Sequence, residues 1–219
     1  MFNDKIKTIR DDIKTAARKV RRDPGSVRLI CVTKEASIKA MLGAISYGIK
    51  DIGENRVKEA VIKYAEIGDT VKWHLIGHLQ TNKVKDALRI FSLIHSVDSL
   101  KLAQTIQKEA LKISKCQDIL IEVNVSGEGS KFGIAPNELN AFLTEIKGFS
   151  NINVRGLMTV TPFSDRSETS RPYFRSLKKL ADLFGLKELS MGMTQDYRVA
   201  IEEGATMIRV GRAIFQAKD

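Results

Sequence analysis

The chain has 219 residues, of which 43% are hydrophobic and 28% charged; this profile excludes collagen-like, disordered and miniature disulfide folds and allows a sizeable core. With 36 Lys and Arg against 26 Asp and Glu the net charge is +10, suited to an anionic ligand, but the basic residues are scattered and no nucleic-acid face stands out. No apolar run reaches the roughly 18 residues of a membrane span, the charged first residues do not read as a secretory signal, and two distant cysteines without a CxxC read as free thiols of a cytoplasmic protein.

Phe2, Ile6, Ile9, Ile13, Ala17 and Val20 recur at spacings of three and four, predicting a leading amphipathic helix that Asp23-Pro24-Gly25 ends. Residues 28–33 are short, apolar and β-branched, hence a strand, with Lys34 just past its end. The alternation then repeats: helix 37–47, strand 49–52, helix 57–67, strand 71–76, helix 83–89 and strand 91–95. A long amphipathic helix follows within 98–114, capped by Asp98 or Ser99. Strand 118–125, a glycine-bearing loop, helix 136–147, strand 151–160, helix 170–184, strand 188–191, helix 195–202 and strand 206–210 complete the series, with a helical stub after Gly211. Eight strands, each followed by helical sequence, predict a parallel sheet of the α/β class. In this length they predict one closed (β/α)8 TIM barrel with an extra N-terminal helix, a single domain over 1–219.

In such barrels the chemistry sits on loops at the C-terminal ends of the strands. Those positions hold Lys34, Gly53-Glu54-Asn55-Arg56, Gly77-His78, Lys131-Phe132-Gly133, Ser190-Met191-Gly192-Met193-Thr194 and Arg209-Val210-Gly211-Arg212. A partly desolvated lysine at a barrel mouth is a nucleophile toward carbonyls; from spacing alone, Lys34 reads more simply as an exposed loop lysine. The glycine turns after the last two strands lie where barrels cradle phosphate on backbone N–H groups, although each by itself is ordinary turn chemistry. Together they describe a Schiff-base pocket for a phosphorylated aldehyde. His74, His78 and His95 form no HExxH pattern, so no metal is expected. Neither a GxSxG elbow nor a Walker A sequence is present, which leaves hydrolase and nucleoside-triphosphatase readings unsupported.

The segments GENRV (53–57), WHLIGHLQTNK (73–83), EVNV (122–125), KFG (131–133), GLM (156–158), SMGM (190–193) and RVG (209–211) resemble the YggS/PROSC-type pyridoxal-phosphate homeostasis proteins. Their order and spacing agree over nearly the whole chain, and WHxIGxLQxNK is the most specific stretch. The resemblance implies a barrel similar to the N-terminal domain of alanine racemase, with pyridoxal 5'-phosphate (PLP) as cofactor. It implies Lys34 as the Schiff-base lysine, Asn55 and Met158 at the ring pocket, and Arg209 facing the pyridine nitrogen. Ser190, Gly192 and the backbones of Gly211 and Arg212 fall on phosphate contacts. Thr194 stands where serine is usual, Ile52 where phenylalanine is common, and Gln216 where glycine is usual; the last affects only the expected course of the C-terminal tail.

Arginine does not readily give up a proton, so Arg209 at the ring nitrogen favours an unprotonated ring, a weak electron sink. Racemisation also needs an acid/base on each face of the substrate Cα. Lys34 serves one face, and the β-domain supplying the second in alanine racemase has no place in a chain expected to end at Asp219. The expectation is a PLP carrier of intracellular vitamin B6 homeostasis, without catalytic residues or turnover. Its expected partners are PLP and PLP-accepting apo-enzymes, with no nucleic acid or membrane, and its expected state is a monomer or weak homodimer. The alternatives are a small PLP-dependent amino-acid racemase and a cofactor-independent barrel, and Lys131 is the alternative attachment point.

Overall fold

In a computed structural model that describes residues 2–215, eight strands pair in chain order and all in parallel. They are β1 (Arg28–Val32), β2 (Asp51–Glu54), β3 (Lys72–Leu75), β4 (Leu93–Val97), β5 (Gln117–Glu122), β6 (Ile152–Met158), β7 (Glu188–Ser190) and β8 (Met207–Val210). β8 returns to β1, with Cys31 opposite Val210, and the sheet closes into a barrel. Around it lie α1 (Phe2–Lys19), α2 (Ile38–Ser46), α3 (Val57–Ile67), α4 (Val84–Ile90), α5 (Leu100–Lys112), α6 (Leu139–Ile146), α7 (Arg171–Leu183), α8 (Tyr197–Glu202) and α9 (Arg212–Phe215). Gln216 lies outside the described residues. Among those residues no helix is long and apolar enough to cross a membrane.

Alternation along each strand sends one set of side chains into the barrel and the other toward the helices. Ile30, Leu93, Leu120, Met158 and Met207 form a small inward cluster. Cys31, Ile52, Trp73, Ile94, Ile119 and Ile208 belong to the larger apolar layer between barrel and helices. Polar groups share the inward positions: His74, His95, Ser190 and Arg209 are all buried. Near the floor, Arg28 Nη2 pairs with Glu188 Oε1 at 2.5 Å.

α1 stands outside the strand–helix repeat. Its stripe Ile6, Ile9, Ile13 and Ala17 is buried as the spacing predicts, whereas Val20 falls past the helix end and is exposed. Polar contacts fasten α1 to α8: Asp12 accepts from the Tyr197 hydroxyl and from Arg198 Nη2 (2.8 Å), and Lys19 Nζ meets Glu202 Oε1 at 2.7 Å.

The boundary difference that matters most to the site is at β2, which the sequence reading ends at Ile52 and which runs on through Gly53 and Glu54. Neither residue type favours strands. Gly53 sits in a tight place, because a Cβ there would lie 3.0 Å from Ile30 Cγ2 and 3.2 Å from Ile76 Cδ1, and those side chains would have to give way. Glu54 points outward and finds its partners behind the barrel. β4 likewise starts two residues later than predicted and reaches Val97.

Candidate functional site

The C-terminal ends of the strands open on a cavity of about 630 Å³, within the size range of small-molecule sites. Its wall takes Val32, Lys34 and Ala36 from the β1 end, Asn55 beyond β2, Ile76 beyond β3 and Val160 beyond β6. Met193 and Thr194 join from beyond β7, and Arg209, Gly211, Arg212 and Phe215 from β8 and α9. The Lys34 side chain is 47% exposed, with Nζ 3.6 Å from Glu35 Oε1. The side chain is thus only partly withdrawn from water, and what distinguishes this amine is its place on the cavity wall.

A buried ion pair holds the backbone before Lys34. Glu54 Oε1 accepts from Thr33 Oγ1 (2.6 Å) and from Lys63 Nζ (2.7 Å), while Lys63 Nζ also donates to the Thr33 carbonyl (2.7 Å). Glu54 is fully buried and the Lys63 side chain is 13% exposed. The sequence reading placed Glu54 at the mouth, but with Gly53 facing inward the next residue must face α3. Gly77 closes the neighbouring turn, because any Cβ there would strike the backbone of Asn55.

Beyond β7, Asp196 shapes the turn that carries Thr194. Its Oδ1 accepts from the Met193 N–H (2.7 Å) and its Oδ2 from Thr161 Oγ1 (3.1 Å). The Thr194 hydroxyl and the Arg212 guanidinium make no hydrogen bond to the described residues. At Gly211 a Cβ would come within 2.8 Å of the Val32 carbonyl oxygen, so only glycine lets the end of β8 lie this close to β1.

Three residues that the resemblance implies as PLP contacts do not line the cavity. Met158 belongs to the inward cluster beneath it. Gly192, at φ +90°, packs against α8, where a Cβ would sit 2.5 Å from Ala200 Cβ; its carbonyl accepts from the Arg209 backbone N–H (3.0 Å). Ser190 is fully buried below Arg209.

Arg209 is the buried cation of the site. Burial lowers its guanidinium to about 10, opposed by the Glu122 and Asp196 carboxylates, so it stays charged at neutral pH. Nη1 donates to both the carbonyl and the hydroxyl of Ser190 (2.7 Å each), and Nη2 donates to the Thr159 carbonyl (2.8 Å). A guanidinium has five N–H donors. The two that remain, on Nε and Nη2, meet no acceptor among the described residues.

Glu122 ends β5 on the inward parity and is 7% exposed. Burial, reinforced by Asp98 and opposed by Arg209, raises its carboxyl to about 7. The folded protein thus keeps a proton that the unfolded chain releases near 4.5. Stability from this group is full below that lower value and falls as pH rises toward 7, by at most about 3 kcal/mol. Glu122→Gln is expected to flatten the pH dependence of the urea midpoint across that window, and an unchanged slope would show that Glu122 titrates normally.

His74 and His95, set aside in the sequence reading together with the metal question, occupy inward positions of adjacent strands, 2.9 Å apart. The available signal was parity: His95 is two residues beyond Leu93, which faces inward. Among the described residues no group of three or more His, Cys, Asp or Glu is arranged to hold a metal ion. The donor set on the wall suits a ligand with an aldehyde, an aromatic acceptor nitrogen and an anionic tail, which is the chemistry of PLP.

Residues 5–219 match the family model described as the alanine racemase N-terminal domain. The pyridoxal phosphate homeostasis protein of Aquifex aeolicus is 40% identical, over 97% of this chain and 96% of its own length. The protein of that name from Pseudomonas aeruginosa is also 40% identical, over 94% and 91%. The structure of PipY from Synechococcus elongatus with PLP bound has a TM-score of 0.84 at 32% identity, covering 98% of this chain and 100% of that one. Alanine racemase of Clostridium difficile, with a TM-score of 0.72, 14% identity and 56% of its length covered, shares the fold alone. Similarity of this extent, carried by a closed barrel with a lysine at its mouth, makes the chain a member of the alanine racemase N-terminal-domain family, in the group of the pyridoxal phosphate homeostasis proteins.

Proposed function

We propose that this protein binds PLP as a Schiff base on Lys34 and keeps and hands on the cofactor in vitamin B6 homeostasis, without turning over a substrate. The observation that carries this reading is one cavity whose wall shares a lysine, a buried arginine with two donors that meet no acceptor among the described residues, a hydroxyl and a second guanidinium likewise unpartnered among them, and Gly211. PipY with PLP bound, and relatives named for pyridoxal phosphate homeostasis, support it. PLP, when bound, supplies an aldehyde and a ring able to withdraw electrons.

The chain's own groups divide the work. Lys34 would hold the aldehyde carbon. Arg209 would offer a donor to the ring nitrogen and, keeping its own proton, leave that nitrogen unprotonated. Thr194, Arg212 and the Gly211 backbone would hold the phosphate, Asn55 would border the ring, and Met158 and Gly192 would support the wall from behind. Racemisation requires an acid/base on each face of Cα. Glu35, the one carboxylate of the lining among the described residues, sits beside the Lys34 amine. A cytoplasmic setting accords with Cys31 and Cys116 as free thiols.

The experiment is titration of the apo chain with PLP, followed by borohydride reduction and peptide mass mapping. Stoichiometric labelling of Lys34 is expected, with no D-alanine formed from L-alanine. A chain that takes up no PLP would overturn the binding reading, and steady formation of the opposite enantiomer would overturn the carrier reading.

A further inference from the structure

A hydrogen-bonded string runs through the barrel interior from its floor to Arg209. Asp51 Oδ1, at the first residue of β2, lies 3.0 Å from His74 Nε2. His74 Nδ1 is 2.9 Å from His95 Nε2, and His95 Nδ1 is 2.9 Å from Ser190 Oγ. Ser190 Oγ is 2.7 Å from Arg209 Nη1. His74 is 1% exposed, and His95 and Ser190 are fully buried.

The two ends decide the direction of every bond. An arginine only donates, and an ionised carboxylate only accepts. Burial is the main cause that holds both imidazoles below their usual range, so each carries one N–H. The Asp51 carboxyl is opposed by its own burial but held below its usual range by His74, Arg28 and Lys72, so it is ionised. His74 Nε2–H therefore donates to Asp51, which leaves Nδ1 as an acceptor. His95 Nε2–H donates to that nitrogen, which leaves its own Nδ1 as an acceptor. The Ser190 proton goes to His95, and the Ser190 oxygen accepts from Arg209.

We propose that Ser190, His95 and His74 are positioning residues that aim the free donors of Arg209 into the cavity, and that the Ser190 hydroxyl does not donate to the cofactor phosphate. This deepens the function proposed above and rests on its placement of PLP beside Arg209. A run of aligned, buried hydrogen bonds polarises its members, which makes Ser190 a stronger acceptor and removes the freedom of the guanidinium to turn. The phosphate is left to Thr194, Arg212 and Gly211.

The test compares two ligands on the full chain: PLP, and 5'-deoxypyridoxal, which keeps the aldehyde and ring but has no phosphate and cannot close a hemiacetal. Ser190→Ala, His95→Leu and His95→Asn are titrated with both, after circular dichroism shows that each apo protein is folded. Ser190→Ala is expected to weaken both ligands by the same factor, about tenfold, as loss of a charge-assisted bond implies. His95→Leu is expected to weaken both by about threefold, and to shift the absorbance maximum of the PLP complex as the ring environment changes. His95→Asn, whose amide oxygen replaces the Nδ1 acceptor toward Ser190, is expected to restore most of the affinity. If Ser190→Ala weakens PLP and leaves 5'-deoxypyridoxal untouched, Ser190 is a phosphate ligand and the proposal falls. It also falls if PLP binds the wild type and no variant changes affinity or spectrum. If the wild type binds neither ligand, the PLP reading itself fails. Should His95→Leu not fold, Ser190→Ala and His95→Asn decide the matter.

Discussion

Lys34→Ala is expected to abolish borohydride-fixed incorporation of PLP while leaving reversible binding about a hundredfold weaker, roughly 3 kcal/mol. The residual affinity comes from groups that the substitution leaves alone: the two unengaged donors of Arg209, the Thr194 hydroxyl, and Arg212 beside Gly211. The effect is large because, among the described residues, Lys34 is the one lysine of the cavity wall, and its loss would remove a covalent bond rather than a contact. Lys131 lies in the loop after β5, outside that wall. Mass analysis after reduction separates the two lysines. Unchanged incorporation in Lys34→Ala, lost on further replacement of Lys131, would move the attachment point to that loop and sink the assignment.

Glu54→Ala has the largest expected effect on stability. It strands the Lys63 ammonium, 13% exposed, with only the Thr33 carbonyl as partner. Breaking a buried pair from one side costs about 3–5 kcal/mol. Glu54→Gln retains an acceptor for Thr33 and Lys63 and is expected to cost about 1–3 kcal/mol. Replacing both partners, Glu54→Leu with Lys63→Met, is expected to recover most of the loss, since two apolar side chains bury without an orphaned charge. Urea unfolding checks the series. Titration with PLP well below the unfolding transition reports the functional arm: Thr33 immediately precedes Lys34, so freeing Thr33 from Glu54 and Lys63 is expected to loosen PLP in proportion. A cost below about 1 kcal/mol for Glu54→Ala would show that the pair contributes little.

The barrel was legible because the repeat of strand and helix depends on hydrophobic period, which survives errors of a residue or two at each boundary. The site depends on which way each side chain points, and a single-residue shift reverses that. Glu54 shows the consequence: ending β2 at Ile52 put it at the mouth, whereas two further strand residues turn it toward α3. Lys34, Asn55, Arg209, Gly211 and Arg212 do share one wall, since each stands at or just past a strand end wherever the boundary falls. Ser190 ends β7 with its side chain inward, and its hydroxyl is consumed by His95 and Arg209. That engagement requires residues 95 and 209 both to reach residue 190 in space, which no local pattern discloses. His74 and His95 stand out in the sequence only as strand residues of one parity, and they become a close pair only once β3 lies beside β4. Asp196 and Thr161, which shape the Thr194 turn, are likewise 35 residues apart.

The join between β1 and β8, reinforced by α1 against α8, bears on how the protein comes into being. During synthesis the first strand emerges long before its neighbour on that side, and it must wait with one edge unpaired until residues 207–210 have left the ribosome. An exposed, unpaired edge invites aggregation in the meantime. The cavity wall straddles this same seam, with Lys34 on one side and Arg209 to Arg212 on the other. If PLP binds as proposed, it can enter only after translation has delivered both sides of this seam, and it then spans the join between them as a clasp.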